Sequence, residues 1–244
     1  MDIIDVPQYH LAYGLLPYKR NQDVVKITPG KGAIKFVMSV VDGWNWKEKV
    51  SDDEQGRKAA RFVSDKFPPM FLSYLKNDNY KLAAQKGAEV VDHMLLERWP
   101  KYVSSVATFF MSFQKQDIIL SVGDEEVLLY GESGWYKPKE IGNYWLDETK
   151  FDFPCNASRF FGRGELKGNP LFSCKPDIVI VAPSTPVLLA TDGIKDVLSL
   201  QDIFAIVGNP YRQTPKQAIE SLSDEIQKRK TQQDDISILV RWNN

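Results

Sequence analysis

The chain has 244 residues, 43% hydrophobic and 12% aromatic, and its 31 basic and 32 acidic side chains leave a formal net charge of −1. That length can bury a full core as one large or two small domains, and a near-neutral balance excludes a general pull toward nucleic acid or an anionic membrane. Cys155 and Cys174 have neither metal-ligand spacing nor the density of a disulfide framework, the acidic start Met1-Asp2-Ile3-Ile4-Asp5 is unlike a signal peptide, and no apolar run reaches membrane-spanning length. The expectation is a soluble cytoplasmic protein.

Residues 1–30 read as loop-rich, punctuated by Pro7, Gly14, Pro17, Pro29 and Gly30, with Val24 to Ile27 as the first strand. His10 and His93 have no histidine or cysteine near them in sequence and are expected to be structural. Gly32 to Val41 is a strand that delivers Asp42-Gly43. Helical spacing begins at Asp52 or Asp53, carries Ala59, Ala60, Phe62, Val63 and Phe67, and is expected to stop at Pro68-Pro69. A second helix spans Tyr80 to Trp99. Ser104 to Val122 holds two strands around Gln114-Lys115-Gln116-Asp117. Glu125 to Tyr130 is the next strand, with Gly123-Asp124 read as a tight hairpin turn.

Gly131 to Pro176 is the least regular part of the chain, and long irregular stretches are usually functional. A flap over the site is expected at about 131–176. Asp177 to Val181 and Val187 to Thr191 are expected to pair as a hairpin across Pro183-Ser184-Thr185-Pro186. Ser199 reads as an N-cap for a helix through Leu200, Ile203, Phe204 and Val207. Thr214 to Lys230 reads as an amphipathic helix with Pro215 in its first turn and basic residues at its end. Ile236 to Trp242 is the last strand. Strands, paired helices, hairpins, a helix and a strand in that order predict an α+β fold with helices covering antiparallel sheets, within a single domain over residues 1–244.

Four apolar runs end in carboxylates: Val40-Val41-Asp42-Gly43, Ser121-Val122-Gly123-Asp124, Val187 to Asp192-Gly193, and Asp234-Asp235 opening Ile236 to Val240. A lone Asp-Gly is explained as a turn. Recurrence at four strand ends predicts one converging oxygen-only site, suited to hard divalent cations. Without a histidine or cysteine cluster, magnesium or manganese is favoured over zinc. Two such ions roughly 4 Å apart lower the pKa of a water and bind phosphate oxygens. The chain has no Gly-x-Ser-x-Gly elbow and no Gly-rich phosphate loop. The residues alone point to a metal-dependent hydrolase of phosphate esters.

Asn21-Gln22-Asp23, Val41-Asp42-Gly43, Gly56 with Ala59-Ala60, Val122-Gly123-Asp124, Ser158-Arg159-Phe160-Phe161-Gly162, Thr191-Asp192-Gly193-Ile194-Lys195-Asp196 and Asp234-Asp235-Ile236-Ser237-Ile238 occur in an order that resembles the type 2C (PPM) metal-dependent Ser/Thr protein phosphatases. The resemblance implies a four-layer α-β-β-α sandwich, two antiparallel sheets flanked by helices, with a two-metal centre at one end. It implies that Asp42 bridges both ions, that the Gly43 carbonyl binds one, and that Asp192 and Asp234 complete the first ion's shell. Asp23 would hold metal-bound water, Asp196 would be a supporting water binder, and Asp124 with Asp192 would recruit a third, weaker ion. Asp235 stands where the family usually has Asn, so Asp234 is taken as the ligand, with the reverse order open. The implied partner is a phosphorylated protein, with no nucleic acid and no membrane, and a monomer is expected.

Three positions depart from the family pattern. Trp44-Asn45-Trp46 replaces its His-Gly-Gly or Met-Gly-Gly, so a general-acid histidine is missing. Tyr18 replaces the phosphate-gripping arginine, leaving Lys19 or Arg20 as phosphate-binding candidates. Gln22 replaces a Glu. Competing readings are a pseudophosphatase acting as a binding module and a small-molecule phosphomonoesterase.

Overall fold

The computed structural model describes residues 1–17, 22–30, 34–45, 54–99, 103–142, 159–162, 173–229, 231–232 and 234–242. Twelve strands and four α-helices are present among them. One sheet contains β1 (Asp2–Val6), β2 (Leu11–Leu16), β7 (Glu126–Gly131), β8 (Gly134–Tyr136), β11 (Val187–Ala190) and β12 (Ile236–Arg241), in the order β1-β2-β12-β11-β7-β8. The other contains β3 (Val24–Pro29), β4 (Ile34–Asn45), β5 (Val103–Phe113), β6 (Asp117–Val122) and β10 (Asp177–Val181), in the order β10-β6-β5-β4-β3, with β9 (Phe161–Gly162) also paired to β5. All strand pairs are antiparallel.

Three apolar clusters follow from this layering. Phe36, Met38, Val40, Phe110, Ile119, Leu189 and Leu239 meet between the sheets. Helices α1 (Glu54–Tyr74) and α2 (Tyr80–Arg98) cover the outer face of the β4-β5 sheet, where Phe67 stacks on Phe109 at 4.5 Å between ring centroids. Helices α3 (Leu200–Val207) and α4 (Pro215–Arg229) cover the other sheet through Ile203, Val207, Ile219 and Leu222. The result is the four-layer α-β-β-α sandwich. No helix among the described residues is long and apolar enough to cross a membrane.

The expected Ser199 cap is present, and two further helices are capped by side chains. Ser199 caps α3 in a reciprocal capping box with Asp202. Thr214 and Gln217 cap α4 in a similar way. Asn79 caps α2 by accepting from the Leu82 N–H.

Four expectations are corrected. Residues 1–16 are not loop but β1 and β2, joined through Pro7–Tyr9 and a left-handed His10. Helix α1 does not stop at Pro68-Pro69 but runs to Tyr74. Each proline removes one helical hydrogen bond, and the wholly buried Phe67 and Phe71 on either side keep the axis against the sheet. Gly123-Asp124 is not a hairpin turn, because β6 and β7 lie in different sheets. The chain crosses the sandwich there, with Gly123 at φ +132° and no room for a Cβ beside Val106. For the same reason β10 and β11 do not pair: β10 joins β6, and β11 lies between β12 and β7.

At one end of the sandwich the sheets are tied by a buried ion pair. Arg241 of β12 donates from Nη1 to Asp117 Oδ2 of β6 at 3.1 Å, while Ser112 donates to Asp117 Oδ1. The carboxylate-bearing strand ends all lie at the other end.

Candidate active site

Each candidate side chain is delivered by a strand terminus at that end. Asp23 precedes β3, Asp42 lies near the end of β4, Asp124 follows β6, Asp192 follows β11, and Asp234 and Asp235 precede β12. Two close backbone approaches make the convergence possible. A Cβ on Gly43 would lie 2.0 Å from the Gly56 carbonyl of α1, and one on Gly193 would lie 2.2 Å from the Asp235 carbonyl. The Gly43 carbonyl itself packs against Gly56. Only glycine lets these chains touch.

Asp23 is buried. Thr191 donates from Oγ1 to Asp23 Oδ2 at 2.8 Å and accepts the Ser237 N–H at 2.9 Å, so one hydroxyl links both sheets. Asp23 also shares a hydrogen bond with Asp42. Asp235 is buried, and its Oδ2 accepts the Gln22 N–H at 2.5 Å. Asp234 is exposed, and its Oδ1 accepts the Asp235 N–H at 2.8 Å. Asp235 is thus committed to the backbone, while Asp234 faces outward with its charge felt by both Asp42 and Asp192.

The electrostatics are those of crowded anions. Burial, and then the charge of Asp235, push the Asp23 carboxyl up to about 7. Burial and the charges of Asp23, Asp192 and Asp234 hold Asp42 well above the usual carboxylate range. Asp192 is raised by burial and by Asp124, with Lys195 opposing. Asp124 is raised by burial, again against Lys195. Glu125 is wholly buried and raised well above its ordinary value by desolvation, and its Oε1 has no hydrogen-bond partner. Asp42 and Asp192 are therefore each within reach of the charges of Asp23 and Asp234, and Asp124 joins them through Asp192. Asp196, four residues further on, is exposed.

Sequence reasoning missed the polar frame around them. Lys195 donates from Nζ to the Asp124 carbonyl at 2.7 Å and lies 3.4 Å from Glu126, which also pairs with Lys137. A lysine inside Thr-Asp-Gly-Ile-Lys-Asp was the available signal. Thr191 and Glu125 were adjacent to the motifs and equally readable. Lys19, Arg20, Tyr18 and Trp46 lie outside the described residues, as does most of the expected flap, 143–158 and 163–172. Trp44 is half-buried at the end of β4.

Among the described residues no three histidine, cysteine or carboxylate side chains already form a tight ligand set. The donors nevertheless fit a hard divalent cation by chemistry. They are all oxygen, they crowd like charges that repel one another, and the buried Glu125 oxygen beside them lacks a donor.

Residues 140–235, which include Asp192 and Asp234, match the family model described as Protein phosphatase 2C. The fold agrees with it. Over that segment the chain is similar to the type 2C (PPM) phosphatases. The chain superimposes on a bacterial serine phosphatase with a TM-score of 0.71 at 12% identity, over 96% of this chain and 98% of that one. Serine/threonine phosphatase Stp1 from Staphylococcus aureus gives 0.71 at 14% identity, over 96% and 94%. A C. elegans sex determining protein gives 0.69 at 18%, over 95% of this chain and 64% of that one. No curated protein sequence matches the chain.

Proposed function

We propose that the protein hydrolyses phosphoserine and phosphothreonine in proteins, using magnesium or manganese ions held by the strand-end carboxylates. The observation that carries this reading is the cluster itself: at one end of the sandwich, buried Asp42 and Asp192 each lie within reach of the charges of Asp23 and Asp234, and both are raised by burial and by those charges. Carboxylates so arranged cannot all ionise unless a cation joins them. Asp42, Asp192 and Asp234 are the proposed ligands of two ions, with the Gly43 carbonyl assisting and Asp124 available to a third. Bound there, the cations would polarise the phosphoryl oxygens and make a water nucleophilic near neutrality.

The chain's own residues do the rest. Thr191 fixes the Asp23 carboxyl, which shares a hydrogen bond with Asp42. The Gln22 N–H holds the Asp235 carboxylate, while the Asp234 charge reaches Asp42 and Asp192. No imidazole lies at the Trp44 position, so the leaving oxygen must take its proton from water rather than from a histidine. A second reading, a binding module without turnover, is favoured by Lys195, since a resident ammonium beside Asp124 neutralises part of the cluster.

The deciding experiment is phosphate release from an aryl phosphate and from a phosphothreonine peptide, with and without manganese. Manganese-dependent turnover lost in Asp192→Asn supports the enzyme. Absence of turnover despite manganese binding selects the binding module. Preference for a sugar phosphate over the peptide moves the substrate to small molecules.

A further inference from the structure

A cleft of about 350 Å³ lies beside the carboxylate cluster, between β3 and the first turns of α1. Asp23, Val24, Lys26, Arg57, Arg61 and Asp65 line it. Its volume is within the range of ligand sites, and Asp23 belongs both to its wall and to the cluster. Its charge is cationic in excess. Lys26 is committed to Asp65 by an ion pair. Arg57 and Arg61, one helical turn apart, have no such partner among the described residues. Arg57 is half-buried, and its Nε is shielded from solvent without a hydrogen-bond acceptor. A guanidinium N–H that is dry and unpaired is unfavourable, and it is satisfied when an anion arrives. Two forked guanidinium groups one turn apart on a helix suit a tetrahedral oxyanion better than a single carboxylate.

The geometry points to Arg57 and Arg61 as a phosphoryl-binding pair in the α1–β3 cleft, which holds a phosphorylated side chain of the substrate next to the carboxylate cluster. The pair supplies the grip absent at Tyr18 from a different element, the first turns of α1. The phosphoryl group has two sources, the phosphoresidue undergoing hydrolysis or a second phosphoresidue beside it. This inference rests on the phosphatase reading for its substrate, but its test does not need turnover.

Binding is measured by fluorescence anisotropy with the full chain in chelator, so that no hydrolysis interferes. The probes are a labelled peptide carrying no phosphate, one phosphoserine or two phosphoserines, with inorganic phosphate as competitor. Arg57→Gln should weaken phosphopeptide binding roughly 10- to 100-fold, the worth of a charge-assisted hydrogen bond. Arg61→Gln should weaken it less, because Arg61 is exposed. Equal weakening for both phosphopeptides assigns the cleft to the reacting phosphoryl group, and weakening confined to the doubly phosphorylated one assigns it to the neighbour. Arg98→Gln, on α2 away from the cleft, should leave affinity unchanged. Melting temperatures of the variants separate loss of binding from loss of fold, and the exposed Arg61 site serves if Arg57→Gln does not fold. Phosphopeptide affinities unchanged within twofold in folded Arg57→Gln or Arg61→Gln overturn the proposal. If the wild-type chain hydrolyses nothing yet shows the Arg57 dependence, the phosphatase reading fails and the cleft assignment survives.

Discussion

In chelator, the protein should lose stability as pH rises from about 4 to 7, opposite to the trend set by ordinary surface ion pairs. Asp23 gives the size of the effect. Its carboxyl sits at about 7 in the fold against an ordinary 3.8. Below pH 4 both the folded and unfolded chains hold the proton, so the stabilisation is fully present. Between the two values the unfolded chain has released it and the folded chain has not, so each step up in pH favours unfolding. A gap of about three pKa units at 1.36 kcal/mol each puts the loss on the order of 4 kcal/mol, or roughly 8–16 °C in melting temperature for a chain of this size. Asp42, Asp192 and Glu125 are displaced in the same direction and add to it. Asp202, held low by Arg229 and Ser199, contributes in the opposite sense, but its share is complete by about pH 4. The assay is a set of thermal melts in chelator across pH 4.5 to 7.5, repeated with manganese and with Asp23→Asn. Manganese should restore most of the lost stability at pH 7, and Asp23→Asn should flatten the profile. A melting temperature that is level or rising across this window in chelator would refute the crowded-carboxylate account.

Three further outcomes are expected. Asp117→Ala strands the buried Arg241 guanidinium and should cost about 3–5 kcal/mol in urea unfolding, whereas Asp117→Ala with Arg241→Met should recover much of it; a loss below about 1 kcal/mol would show the pair to be unimportant. Gly193→Ala puts a methyl group 2.2 Å from the Asp235 carbonyl, so it should cost roughly 1–3 kcal/mol and weaken manganese binding in calorimetry by displacing Asp234; unchanged affinity would separate that backbone contact from the site. Lys195→Met removes the ammonium beside Asp124 and should raise manganese affinity by roughly tenfold, about 1.4 kcal/mol of relieved repulsion; titration calorimetry showing no gain would mean that Lys195 does not compete with a cation there.

The strand-end aspartates were readable because each borders an apolar β run, Asp42, Asp124 and Asp192 at its end and Asp23, Asp234 and Asp235 at its start, where the run meets a polar rim. Helices α3 and α4 were readable because the Ser199 cap, and Pro215 with the basic last turn of α4, carry their signals locally. Pairing was not local. Gly123-Asp124 and Pro183 to Pro186 have the composition of hairpin turns, yet both carry the chain from one sheet to the other, a choice made by contacts far apart in sequence. Strands β1 and β2 escaped notice because Pro7 and Gly14 break the alternation, and β2 is held in place by pairing with β12. Pro68-Pro69 looked like a helix end because backbone preference was weighed without the burial of Phe67 and Phe71. The Arg57 cleft was invisible in sequence, since it needs α1 and β3 side by side.

The hydroxyl of Thr191 touches Asp23 from one sheet and the Ser237 amide from the other. Half a sandwich therefore cannot possess the site. A growing polypeptide has α1, α2 and β3 to β6 early, but β12 arrives after all of them and must dock between β2 and β11. Until that insertion occurs, Asp23 has no Thr191–Ser237 bridge to lean on, and the carboxylate cluster lacks its last two members, Asp234 and Asp235.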